Sequence, residues 1–122
     1  MSKKFVRRHL DITKITTEIF GFGETVAEIL RVVSKNNEML ISDIAGKIKK
    51  SERSVRKYLK TLVDKGLLEK RVDITRNNRL AYKYSMCSPE KILEILKIDI
   101  SVKLDKIESL KTKYWQSKRL ST

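Results

Sequence analysis

Ser51-Glu52-Arg53-Ser54-Val55-Arg56-Lys57-Tyr58-Leu59-Lys60-Thr61-Leu62-Val63-Asp64-Lys65-Gly66 is the stretch on which the fold turns. Val55, Leu59, Leu62 and Val63 recur at three- and four-residue steps, which puts them on one buried face of a helix. Ser51 stands where an N-cap belongs, and Gly66 stops the element. Upstream, Met39-Leu40-Ile41 reads as a stub of strand, and Ser42 offers a cap to a shorter helix whose inner face is Ile44, Ala45 and Ile48. Lys49-Lys50 then makes a brief connection, so two short helices are joined by a tight turn. Downstream, Leu67 to Ile74 and Leu80 to Met86 are rich in β-branched and aromatic residues, with Asn77-Asn78 as turn chemistry between them. They form a hairpin. In its second strand Leu80, Tyr82, Tyr84 and Met86 share one face, and core packing is the preferred role of the two tyrosines over a stacking platform for single-stranded bases.

Two further elements flank this centre. Val26, Ile29, Leu30 and Val33 lie at i, i+3, i+4 and i+7 after Gly21 and Gly23, and an earlier helix spans Leu10 to Phe20 with Ile12, Ile15 and Ile19 inward and Lys14 and Glu18 outward. At the other end, Ser88-Pro89-Glu90 is a helix start: a cap, Pro at the first helical position and an acid in the first turn. Leu93, Leu96, Ile100, Leu104, Ile107, Leu110 and Tyr114 then recur every three or four residues, so one helix runs from Pro89 to about Ser117 with an apolar stripe. At ~1.5 Å per residue it is roughly 43 Å long, more than a small domain needs for its own core. The surplus predicts a partner helix from a second copy, with Tyr114 and Trp115 extending the contact.

In 122 residues there are 28 Lys and Arg against 15 Asp and Glu, a net charge of +13. A field of that sign attracts polyanions before any specific contact forms. From Glu90 to Lys111 acids and bases nearly alternate, so the positive excess sits in the amino-terminal segment, the two central helices and the hairpin. Cys87 is the only cysteine, which excludes an internal disulfide and a multi-cysteine metal site and suits a reducing compartment. His9 is the only histidine, and no Gly-rich phosphate loop or isolated acid pair stands out. An enzyme, a metal site and a cofactor are therefore not expected. No apolar run approaches the ~20 residues of a membrane span, and Met1 to Arg8 is basic without an apolar signal core. The expected location is cytoplasmic.

The charge has a pattern as well as a sign. Outside the buried set of the Ser51–Lys65 helix stand Glu52, Arg53, Arg56, Lys57 and Lys60, nearly all basic. Arg suits paired hydrogen bonds to guanine O6 and N7, while Lys and hydroxyl groups suit phosphates and base edges. Lys47, Lys49 and Lys50 add charge on the approach, and Arg76 and Arg79 arm the hairpin tip.

Taken together, Ile41-Ser42-Asp43-Ile44-Ala45, the Ser51–Leu59 run and Leu62-Val63-Asp64-Lys65-Gly66-Leu67-Leu68-Glu69 resemble MarR-like and TrmB-like winged-helix regulators. The small Lrs-type regulators of archaea are similar in size and layout. The likeness covers Gly23 to Met86. It implies a mainly α fold with a small β-hairpin wing: an amino-terminal basic segment and helix over 1–22, a second candidate for dimer formation, a winged helix-turn-helix over 23–87 and a long dimerisation helix over 88–122. It also implies that Ser51, Arg53, Ser54, Arg56 and Lys57 reach bases or nearby phosphates, that Lys60 reaches the backbone, and that Arg76, Asn77, Asn78 and Arg79 form a wing tip on the backbone or minor groove. Glu52 departs from a purely basic pattern; it either accepts from cytosine N4 or favours the helix amino terminus. The expected function is sequence-specific binding of double-stranded DNA by a homodimer that regulates transcription. A winged-helix module that docks on acidic proteins and an RNA-binding protein are the alternatives.

Overall fold

A computed structural model of the chain describes residues 11–121, with side chains to residue 116. Leu10, as the start of the first helix, and the basic residues Met1 to His9 lie outside the described residues. The elements run α1 (Ile12–Phe20), α2 (Glu24–Ser34), β1 (Met39–Leu40), α3 (Ile41–Ile48), α4 (Glu52–Asp64), β2 (Leu68–Ile74), β3 (Leu80–Met86) and α5 (Pro89–Ser121). This is a winged helix-turn-helix followed by one long helix.

The helix ends follow capping chemistry. Asp11 accepts from the Thr13 amide at 2.9 Å and the Thr13 hydroxyl at 2.7 Å, which holds its carboxyl below the usual range. Ser51 accepts from the Ser54 amide at 3.1 Å and Ser88 from the Lys91 amide at 3.2 Å, as expected of both. Ser42 is not a cap: α3 begins at Ile41, two residues earlier than a Ser42 cap would start it, with Leu40 at the N-cap and no side-chain bond. The reason is the β1 stub, whose pairing of Met39 with Tyr84 and Leu40 with Lys83 runs directly into the helix.

At the end of α4 the Gly66 amide donates to Val63 O at 2.9 Å and the Leu67 amide to Leu62 O at 3.0 Å, the paired bonds of a Schellman motif. Gly66 has φ +80°, and a Cβ there would stand 3.0 Å from Ile95 Cδ1 of α5. Gly66→Ala should therefore destabilise the fold by about 1–3 kcal/mol, from left-handed strain and the displaced isoleucine. Urea unfolding checks this, and an unchanged midpoint would show that the turn relaxes freely.

β1, β3 and β2 form an antiparallel sheet in that order. The core beneath it joins Ile29, Leu30 and Val33 of α2, Ile44 of α3, and Val55, Leu59 and Leu62 of α4. Two expectations about the flanking helices change. In α1 the buried residues are Thr13 and Thr16, whereas Ile12, Ile15 and Ile19 are half-buried. Those threonines can be buried because their hydroxyls are satisfied within or just before the helix, on Asp11 and on Ile12 O. In α5, Leu96 packs in the chain's own core together with Ile92, so the inward face of the first turns lies beside the expected stripe. Along β3 the expected core face is covered only at one end: Tyr84 is buried and Met86 partly so, but Leu80 and Tyr82 are exposed. The hairpin projects beyond the helices that cover its base.

Lys103 of α5 donates to the Ile19 carbonyl at the end of α1 and pairs with Asp99 at 2.8 Å. Past this point every residue of α5 from Leu104 to Gln116 is exposed. The helix, 33 residues or roughly 50 Å long, extends well beyond the domain whose core it helps to close.

Candidate nucleic-acid interface

The turn between α3 and α4 is held by Lys49 in the left-handed region, at φ 59°, and by a bond from the Lys50 amide to Ala45 O at 3.1 Å. A lysine there carries a conformational cost that glycine would avoid. The turn sets α4 with Val55, Leu59 and Leu62 against the core, and the remainder of its surface faces outward. Glu52, Arg53, Arg56, Lys57 and Lys60 are all exposed, and Ser54 is half-buried.

The charges differ in how they are already committed. Lys60 lies 3.2 Å from Asp64, one helical turn away, an exposed pair weak enough for a phosphate to displace. Among the described residues, Arg53, Arg56 and Lys57 have no ion-pair partner within 4 Å. Burial pushes the Tyr84 phenol up, and the charge of Arg56 opposes that shift. Ser51 uses its oxygen as the cap of α4 and keeps its hydroxyl proton for an outside acceptor.

The wing tip is a tight loop. The Asn78 amide donates to Thr75 O at 3.0 Å, the residue adopts φ 56°, and the Thr75 amide donates to Arg79 O at 2.9 Å. Asparagine tolerates the left-handed position that such a turn requires. Arg76, Asn77, Asn78 and Arg79 are all exposed, and neither arginine has an acid partner among the described residues. Lower in the hairpin the cations are tied. Arg71 grips Glu38 with Nη2 at 2.7 Å and Nε at 3.2 Å, and Lys83 lies 3.0 Å from Asp73. The Lys83 bond is the first cause of an Asp73 carboxyl held below its ordinary range. Sequence reading missed the Arg71–Glu38 clamp, because residues 33 apart carry no local spacing signal. It braces the wing against the loop before β1.

Two groups of exposed cations without acid partners among the described residues thus stand on the face of α4 and at the tip of the wing. No group of His, Cys, Asp and Glu among the described residues could hold a metal ion, and no described helix is long and apolar enough to cross a membrane. Cys87 is buried, and burial pushes its thiol up, away from the reactive thiolate.

Residues 24–69 match the family model described as winged helix-turn-helix DNA-binding. A comparison with curated proteins finds no match. Among solved structures, a possible transcriptional regulator from Methanosarcina mazei Go1 superposes with a TM-score of 0.71 at 12% identity, over 83% of this chain and 86% of that one. MepR from S. aureus, solved as a complex with DNA, gives 0.55 at 15% identity over 98% and 94% of the two chains. The YusO protein from Bacillus subtilis gives 0.51 at 16% over 99% and 89%. At these identities the likeness is one of fold.

Proposed function

We propose that this chain is a homodimeric regulator of transcription that reads double-stranded DNA with α4 in the major groove and holds the flanking backbone or minor groove with the wing. It acts by binding, in the cytoplasm, and not by catalysis. The observation that carries the reading is the pairing state of the cations. Among the described residues, Arg53, Arg56, Lys57, Arg76 and Arg79 are without acid partners, whereas Arg71, Lys83 and Lys103 are bound to acids. Unneutralised charge on the two parts of the frame that can reach a duplex is what groove docking needs. A fold shared with MepR, which has been solved on DNA, supports the same docking.

The homodimer rests on α5. Leu93, Ile100, Leu104, Ile107 and Leu110 are exposed along a helix whose outer half is solvent-facing all round from Leu104 to Gln116, and contiguous apolar surface of that kind marks an interface. Ile98 and Val102 are exposed as well and lie about half a turn from Ile100 at 100° per residue. The helix therefore has apolar flanks for more than one partner helix.

Titration of the full chain with fluorescent random duplex at low salt, then with fragments recovered from cross-linked DNA, tests the function. Measurable random-duplex affinity and a tighter recovered site are expected; no duplex binding at low salt would point to a protein-docking module, and preference for single-stranded RNA to the other alternative. Within the same assay Arg56→Ala should cost about 1–3 kcal/mol on the best site and relax its preference, while Lys60→Ala weakens all sequences alike. Equal losses on specific and random DNA for Arg56→Ala would remove it as a base reader.

A further inference from the structure

The sheet ends on β2, which pairs with β3 on one side and with no described strand on the other. Two bonds show which of its backbone groups face the open side. The Cys87 amide donates to Leu67 O at 3.1 Å and the Thr75 amide to Arg79 O at 2.9 Å, extending the β2–β3 register by one residue at each end. Residues 67 and 75 are thus hydrogen-bonded positions of the antiparallel ladder, and by alternation Glu69, Arg71 and Asp73 are as well. Lys70, Val72 and Ile74 therefore turn their amides and carbonyls to the open edge. There the Ile74 amide is held by Asp73 Oδ1 at 2.9 Å.

The devices that usually blunt such an edge are missing. Pairing with β3 is unbroken from Leu68 to Ile74, so no bulge twists the strand away, and it contains no proline. Lys70, a cation that could stand across the edge, lies instead over the Tyr82 ring, 4.1 Å from its centroid. Val72 and Ile74 are 53 and 66% exposed. In a chain of net charge +13, the charges of Glu69, Lys70, Arg71 and Asp73 cancel. A neutral, partly apolar edge attracts neither a polyanion nor an acidic peptide, but it can match itself.

Two antiparallel copies of one strand related by a two-fold axis pair about a single central residue. Centred on Lys70, Arg71 or Asp73, the pairing sets identical charges opposite one another, which is unfavourable. Centred on Val72, it sets valine against valine, Arg71 against Asp73 of the second copy, and Lys70 against Ile74 of the second copy. The outward amides and carbonyls of Lys70, Val72 and Ile74 then all meet partners. We infer that β2 pairs edge to edge with β2 of a second copy of this chain in that register. Asp73 Oδ1 exchanges the Ile74 amide for Arg71 of the second copy. The contact requires neither a duplex nor the α5 dimer. With five residues a side it is far smaller than a stable dimer interface, so it is weak alone and joins molecules already held close. In combination with an α5 dimer it links dimer to dimer.

Disulfide trapping of full-length variants tests the register, without DNA and at about 0.15 M salt, where repulsion between the charged chains is screened beyond ~8 Å. Residues opposite one another in a hydrogen-bonded pair have Cα atoms about 5.5 Å apart, within disulfide reach. Val72→Cys should therefore form covalent dimers under mild oxidation about tenfold faster than Asn37→Cys, an exposed loop position that reports random collision. Ile74→Cys and Lys70→Cys, each alone, should match Asn37→Cys, because like positions stand four residues apart along the strand, roughly 14 Å. Mixed together they should give the heterodimer, which mass spectrometry separates from either homodimer. The unmodified chain, whose Cys87 is buried, is the blank, and circular dichroism confirms the fold of each variant. Rapid trapping of Val72→Cys should persist when Ile100 and Leu104 are replaced by glutamate. Its loss there would overturn the contact as one separate from α5. Equal rates for Val72→Cys and Asn37→Cys, or a homodimer of Ile74→Cys forming faster than the heterodimer, would overturn the register and the inference with it. Failure of duplex binding leaves these outcomes unchanged, so the two readings fall separately.

Discussion

Raising monovalent salt from about 50 to 200 mM should weaken duplex binding about 10³- to 10⁵-fold, if two protomers together neutralise six to ten phosphates. Each neutralised phosphate releases condensed counterions, and the slope of log affinity on log salt is near −0.9 per phosphate. The cations available for this are the exposed ones without acid partners on α4 and the wing, with Lys47, Lys49 and Lys50 beside them. Lys103, paired with Asp99, lies on the far helix and should add little. Fluorescence anisotropy across a salt series reads the slope directly. Affinity that stayed flat from low to moderate salt would exclude groove docking, because the remaining interactions, with base edges, do not displace counterions.

Much of this arrangement is legible in the sequence, and what is legible shares a cause. Ser51, Ser88, Gly66 and the Asn77-Asn78 turn act through bonds to residues a few places away, so their chemistry is written locally. The periodic faces of α2, α3 and α4 are legible for the same reason. Where sequence reading fails, the deciding partner lies far along the chain. Burial of Thr13 and Thr16 depends on α1 lying against α2 and α5, and no rule of composition favours threonine over the neighbouring isoleucines. Leu96 fits the stripe of a dimer helix by spacing alone; only the position of α5 over the core shows that this residue and Ile92 are spent within the chain. Arg71 and Glu38, and Lys103 with the Ile19 carbonyl, are likewise matters of tertiary placement. For the candidate interface, sequence places the basic residues on the outward face but does not separate those already paired from those still open, and that separation is what supports the functional reading.

Replacing Ile100 and Leu104 with glutamate should abolish the dimer and high-affinity DNA binding together, while leaving the winged helix-turn-helix folded. Both side chains are exposed and lie outside the core cluster, so the domain around Ile29, Leu59 and Leu62 does not depend on them. The outer half of α5, exposed from Leu104 to Gln116, finds little packing among the described residues, and helices in proteins draw most of their stability from packing. In a two-fold dimer each α4 meets one half-site, and successive major grooves on one side of B-DNA are about 34 Å apart, so the preferred site should be roughly palindromic with half-site centres near 10 base pairs apart. Losing the dimer converts two linked binding events into two independent ones and removes the avidity, about 10²- to 10⁴-fold, that linkage confers. Sedimentation velocity gives the oligomeric state and circular dichroism the fold of the same samples. An unmodified chain that sediments as a monomer at micromolar concentration, with tight binding to a palindromic site intact, would contradict the dimer. A glutamate variant that stays dimeric would instead move the interface to the flank of α5 that carries Ile98 and Val102, and with it the distance between the two reading helices.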